Sequence, residues 1–143
     1  HGDKTLAEGH SIQLKKLLNW SYNTSNLPSA YLTGYLCGLR AKKEGISEAI
    51  LDVGILVHNN QVKAALLGFK DSGMEVPMDK DWIPDSLKER ISGKHIEDYA
   101  KLLSKENSKK YKQIFAKVLN EKGNPKKIVK DWENAKGKLE SQV

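Results

Sequence analysis

An α/β layered fold continued by a helical extension is what this sequence predicts, and three observations carry it. Up to Gly73 the apolar patterning alternates between segments suited to strands and segments with helical spacing. Within that region, Pro28 to Gly45 carries a strip of small residues that suits close packing against a sheet. From Lys94 to the end, every apolar stripe has helical spacing. The expected organisation is an α/β core over residues 1–94 and a helical C-terminal extension over 95–143 packed on it.

Lys4 to Glu8 opens as a short strand, with Leu6 as its strongly apolar residue. Ser11 to Trp20 has Ile12, Leu14, Leu17 and Leu18 on a helical stripe, with Ser11 placed to cap it. Ser21 to Asn26 is rich in Ser, Asn and Thr, whose side chains compete for local backbone hydrogen bonds and favour a loop. Pro28 sits where proline is tolerated, in a helix's first turn, and Gly45 ends that helix after the basic turn Arg40, Lys42 and Lys43. Leu32, Leu36 and Leu39 form its apolar ridge, and Ala30, Gly34, Cys37, Gly38 and Ala41 its small-residue strip. Glu48 to Val53, with Ala49, Ile50, Leu51 and Val53, reads as a strand covered on both faces. Val62, Ala65, Leu66 and Phe69 resume a helix that Gly73 stops.

Met74 to Pro84 is a loop, and Leu87 to Ile91 a short segment interrupted by Ser92 and Gly93. Ile96, Tyr99, Ala100 and Leu103 stripe the next helix. Tyr111, Ile114, Phe115, Val118 and Leu119 stripe a further one that Gly123 ends. Asn124 and Pro125 form a cap and first turn for a last helix through Ile128, Val129, Trp132, Ala135 and Leu139. No internal repeat or low-complexity tract is present.

At 143 residues the chain suits one domain burying about two thirds of its unfolded surface. No apolar run approaches the roughly 18 residues of a membrane span, so a soluble protein is expected. Cys37 is the only cysteine, which removes any disulfide framework and points to a reducing cytoplasm. The net charge of +6 makes polyanions plausible partners. Residues 95–143 hold 12 basic and 7 acidic side chains against 12 and 11 in 1–94, so the excess sits in the tail.

Candidate chemistry is sparse. His1, His10, His58 and His95 have no zinc-like spacing to one another or to Cys37, so neither a metal nor a cofactor is expected. Cys37, among small residues on a helix, reads as a packing thiol. Asp52 at a strand end is a lone carboxylate, whereas two-metal chemistry needs several convergent acids. Gly34 and Gly38 lie inside a helix and form no phosphate loop. No catalytic residue is assigned. Basic groups recur at Lys15 with Lys16, at Arg40 with Lys42 and Lys43, and at Arg90 with Lys94. Each group has a sufficient reading as solvated surface, and Lys42 and Lys43 also complement a helix dipole. Tyr22, Asn23, Asn59, Asn60 and Gln61 are polar loop residues able to contact phosphates, sugars or unstacked bases.

Several segments in order resemble a known family. Asn26 to Gly34, followed by Gly38, Leu39, Arg40, Ala41 and Gly45, is the most specific stretch. Glu48 to Gly54, Val62 to Leu66 and Asp71 to Pro77 continue it, and so do Pro84, Asp85, Arg90, Ile91, Gly93, His95, Ile96 and Tyr99, then Tyr111 to Phe115. Together they resemble the archaeal-type large-subunit ribosomal proteins that bind 5S rRNA, the protein L eighteen family. The resemblance implies an α/β core of ribonuclease-H-like topology without nuclease activity and a helical C-terminal extension. It also implies a cytoplasmic place in the central protuberance of the large ribosomal subunit. Its implied partners are 5S rRNA, large-subunit rRNA and neighbouring large-subunit proteins, with no membrane.

Family members begin with a basic arm and a pair of strands, and His1 stands beyond them, which leaves the expected sheet incomplete. Between Gly54 and Val62 the family has a loop with Pro, Thr, Lys and Gly, and this chain departs from that basic RNA-touching loop with Ile55 to Gln61. The expected function is noncatalytic rRNA binding, with Asn23, Arg40, Lys63, Arg90 and Lys94 as candidate RNA contacts. The alternative is a protein-interaction module whose basic tail binds an acidic protein partner.

Overall fold

The computed structural model describes residues 2–55 and 59–143. Among them the regular elements are α1 (Ser11–Leu18), α2 (Leu27–Lys43), α3 (Asn60–Asp71), α4 (Asp85–Ile91), α5 (Lys94–Glu106), α6 (Ser108–Ile114), α7 (Ala116–Asn120) and α8 (Ile128–Gln142). Two 3-10 turns, Lys80–Trp82 and Pro125–Lys127, complete them. None of the helices is long and apolar enough to cross a membrane. Of the sequence-level readings, His1, His58 and the centre of the 55–61 loop lie outside the described residues.

The expected α/β class is overturned, because the described residues contain no strand and no sheet. Lys4 to Glu8 is irregular, and Glu48 to Val53 contributes one isolated parallel bridge, Glu48 to Glu75. Two hydrogen bonds make that bridge, Ala49 N–H to the Glu75 carbonyl (2.9 Å) and Glu75 N–H to the Ser47 carbonyl (2.9 Å). An apolar run becomes a strand only when neighbouring chain pairs its N–H and C=O groups over several residues. Here the pairing stops after one residue, and Ile50 is 85% exposed. The ribonuclease-H-like layered core is therefore absent from the described residues. An apolar groove of about 390 Å³ lies in its place, lined by Cys37, Ile50, Val62 and Phe69 among others.

The small-residue strip of α2 does permit close approach, but to a helix and not to a sheet. A Cβ on Gly34 would collide with the Ala65 carbonyl of α3, and one on Gly38 with the Ser72 hydroxyl at the end of α3. The fit is reciprocal, since a Cβ on Gly68 of α3 would collide with the Tyr31 carbonyl of α2. The other face of α2, through Tyr31, Leu32 and Leu36, enters one buried cluster with Leu14 of α1, Ile83, Leu87, Ile91, and Ile128, Ala135 and Leu139 of α8. A smaller cluster of Ala100, Leu103 and Tyr111, with Phe115 and Leu119 against it, joins α5 to α6 and α7. The single stripe expected through Tyr111 to Leu119 is divided at Phe115 (φ −98°, ψ 16°) into α6 and α7. Asn124 and Pro125 open a 3-10 turn, with the Asn124 side chain accepting from Lys126 N–H (3.1 Å), before α8 begins.

Helix α8 is held to α2 by an aromatic box. The Lys136 ammonium lies 5.1 Å from the ring centroid of Tyr31, 5.5 Å from Tyr35 and 5.2 Å from Trp132. Each ring face is electron-rich, so the cation is attracted to all three. The Tyr31 hydroxyl donates to Asp71 (2.6 Å) and the Tyr35 hydroxyl to Glu140. Across the core, the Tyr22 hydroxyl stands within hydrogen-bond distance of the Asp131 carboxylate and the Asn124 carbonyl.

These phenols contribute a stability that depends on pH at the alkaline end. Burial first, and then the carboxylate each hydroxyl faces, push Tyr22 and Tyr31 well above the ordinary tyrosine range, and the same two causes push Tyr35 up to about 12. A raised phenol pKa means that the folded chain holds the proton more tightly than the unfolded one. Stability is then intact below the ordinary value near 10 and falls as pH rises from there toward 12. Phenolate absorbance should show these three tyrosines ionising together with the loss of helical circular dichroism. Three phenolates appearing on a still-folded chain would refute the assignment.

Candidate nucleic-acid interface

Three helices begin at one cleft. The cap of α1 is His10, whose Nδ1 accepts from Ile12 N–H (3.1 Å), one residue earlier than the sequence suggested. Asn26 caps α2 by accepting from Ser29 N–H (3.0 Å), and Asn59 caps α3 by accepting from Val62 N–H (2.9 Å). His10, Asn26 and Asn59 all line a cavity of about 380 Å³, together with Ser11, Ser25 and Gln61. Gln61 Nε2 donates to the Ser25 carbonyl (2.6 Å) and so ties the first turn of α3 to the loop before α2. Helix N-termini carry unsatisfied N–H groups and the positive end of the helix dipole, so a cleft where three meet favours an anionic group. With Nδ1 accepting, the His10 ring has Nε2–H left to donate. Sequence reasoning considered His10 only as a metal ligand. The signal that could have found it is a polar residue directly before each apolar stripe, at 10, 26 and 59.

The five sequence-predicted contacts do not gather into one cluster. Arg40 turns inward, its Nη1 donating to the Glu8 carbonyl (2.8 Å) and to Gln13 Oε1 (2.9 Å). Gln13 in turn accepts from His10 N–H (3.1 Å), so Arg40 fixes the segment that brings His10 to the cleft. The Lys63 ammonium lies over the Trp82 ring at 5.3 Å. Asn23 is exposed on the 21–26 loop, where its Oδ1 accepts from Ser25 N–H (2.8 Å). Arg90 and Lys94 are exposed on either side of the turn through Gly93 (φ +85°), which joins α4 to α5. His95 beside them is held below the ordinary imidazole range, by burial first and then by the Arg90 cation.

The 21–26 loop owes its shape to one buried relay. Trp20 Nε1–H donates to Ser29 Oγ (2.9 Å), and the Ser29 hydroxyl donates to the Asn23 carbonyl (2.5 Å), with Ser29 fully buried. Ser29→Ala leaves a buried indole N–H and a carbonyl without partners, each a desolvated group. The expected cost is about 1–3 kcal/mol, measured as a lower urea midpoint with unchanged slope. An unshifted midpoint would show that the relay is replaced by water.

Burial also raises the Cys37 pKa, so its thiol stays protonated, as suits a packing residue. Among the described residues, no group of three or more His, Cys, Asp or Glu side chains could hold a metal ion.

No protein-family model matches the chain. Curated relatives do. The large ribosomal subunit protein uL18 of Methanothermobacter thermautotrophicus is 41% identical over 145 residues, covering 100% of this chain and 72% of that protein. The uL18 of Saccharolobus solfataricus is 37% identical, covering 98% of this chain and 70% of its own length, and that of Aeropyrum pernix 38%, covering 97% and 65%. Identity of this extent is found over nearly the whole chain, and on that ground the chain belongs to the uL18 family of large ribosomal subunit proteins, in its archaeal type.

Proposed function

We infer that this chain binds 5S rRNA and helps attach it to large-subunit rRNA in the central protuberance. Membership of the family makes it a structural constituent of the large ribosomal subunit and not an enzyme. The observation that carries the RNA reading is the cleft where α1, α2 and α3 all begin, a place suited to a phosphate group. Arg90 and Lys94 act as phosphate contacts and Asn23 as a loop contact to sugar or base. Arg40 acts as a positioning residue through Gln13 and His10, and Lys63 by bracing the Trp82 ring.

The test is binding to 5S rRNA in moderate salt with excess transfer RNA as competitor. Selective binding is expected, and displacement by transfer RNA mole for mole would overturn the reading. Arg90→Ala and Lys94→Ala should each weaken binding and flatten the dependence of log affinity on log salt by about one phosphate contact. Variants with wild-type affinity and slope would remove the Gly93 turn from the interface.

A further inference from the structure

We propose that a second RNA contact lies at the elbow of α6, α7 and the start of α8, where a cavity receives one unstacked nucleobase. This deepens the RNA-binding reading above and rests on it. The first observation is charge. Of the 24 basic and 18 acidic residues, eight lysines and one acid, Glu121, fall within residues 108–130, which leaves 16 basic and 17 acidic residues elsewhere. The positive excess of the whole chain is thus this one stretch. Glu121 is already paired with Lys15 (2.9 Å), and Lys126 stands 5.1 Å over the Tyr111 ring. The other seven lysines of the stretch are exposed, and none takes part in an ion pair among the described residues.

The second observation is a cavity of about 400 Å³ beside Lys117, between the 21–26 loop, α5, α6 and α7, with the Lys15-paired Glu121 also on its wall. Ile96, Ile114, Phe115 and Val118 give it apolar walls, while Asn23 and Lys117 line it as exposed polar side chains. Phe115 is braced by Tyr111 (centroids 5.4 Å apart) and by Tyr99 (6.3 Å). A flat aromatic side chain, an amide with N–H groups left to donate, and an ammonium for the adjoining phosphate are groups that suit a splayed-out base. An acidic protein segment would satisfy the lysines but has no use for an aromatic and amide-lined cavity.

The experiment measures 5S rRNA binding by the full chain and by Phe115→Leu and Asn23→Asp, with chemical probing of unpaired bases in each complex. Phe115→Leu removes the stacking face and keeps an apolar wall, and Asn23→Asp places a negative charge in the cavity from an exposed position, so folding survives at least in the second. Both variants should bind about tenfold more weakly, and a base protected by the wild-type chain should become reactive in both. Selective wild-type binding with unchanged affinity and protection in both variants would overturn the base pocket and leave the RNA reading standing. Loss of selectivity over transfer RNA in the wild type itself would remove both. Displacement of the RNA by polyglutamate, with no base protected, would transfer this surface to an acidic protein partner and overturn the proposal.

Discussion

Gly34→Ala is expected to destabilise the chain by about 2–3 kcal/mol, although alanine is the better helix former. The added Cβ would run into the carbonyl oxygen, carbonyl carbon and Cα of Ala65, all backbone atoms of α3, so no side chain can rotate out of the way. Overpacking of this kind costs about 1–3 kcal/mol and occasionally more, and the backbone location places it at the upper end, offset by about 1 kcal/mol of gained helix propensity. Gly68→Ala should behave alike, because its Cβ would meet the Tyr31 carbonyl from the opposite side of the same crossing. Gly137→Ala is the control: it lies in α8 with nothing within 4 Å of the new methyl group, and should stabilise by about 0.4–1 kcal/mol. Thermal midpoints decide the matter. One substitution should move them down at two sites and up at a third, and a rise at Gly34 would show that α2 and α3 separate readily.

Tyr31→Ala should be the most damaging single change at the α2–α8 contact, at about 3–5 kcal/mol, the range for emptying a large aromatic site. Tyr31 is 1% exposed, its ring lies 4.9 Å from Trp132 and 6.1 Å from Tyr35, and it forms one side of the box around Lys136. Its loss opens the core and loosens the grip on α8 together. Tyr31→Phe keeps the ring and the cation contact and gives up the hydroxyl's bond to Asp71, so it should cost about 1 kcal/mol. Amide hydrogen exchange in α8 should accelerate in the alanine variant and remain near wild type in the phenylalanine one. Equal protection of α8 in both would mean that the aromatic box does not hold the helix.

Helix positions were largely legible because their signals are local. The Pro28 first turn, the positive φ of Gly45 and Gly73 after α2 and α3, and the stripe from Ile96 to Leu103 each act within a few residues of chain. The candidate contacts were legible as residue types and not as a constellation. Arg40 looked like a surface cation, but its guanidinium is used on Glu8 and Gln13, 32 and 27 positions earlier in the chain. Nothing in the local sequence reports an interaction over such a separation.

By itself the sequence determined where this chain turns helical, how its charge concentrates toward the tail and, through ordered resemblance, its family. Tertiary structure decided the rest. The small-residue strip of α2 specifies close approach without specifying what approaches, and packing gave that place to α3. The run from Ala49 to Val53 has strand propensity, but a strand is a relation between segments, and only one residue pair is formed. The cleft where α1, α2 and α3 begin is likewise a matter of assembly, since His10, Asn26 and Asn59 become neighbours only when three helices pack with their N-termini together.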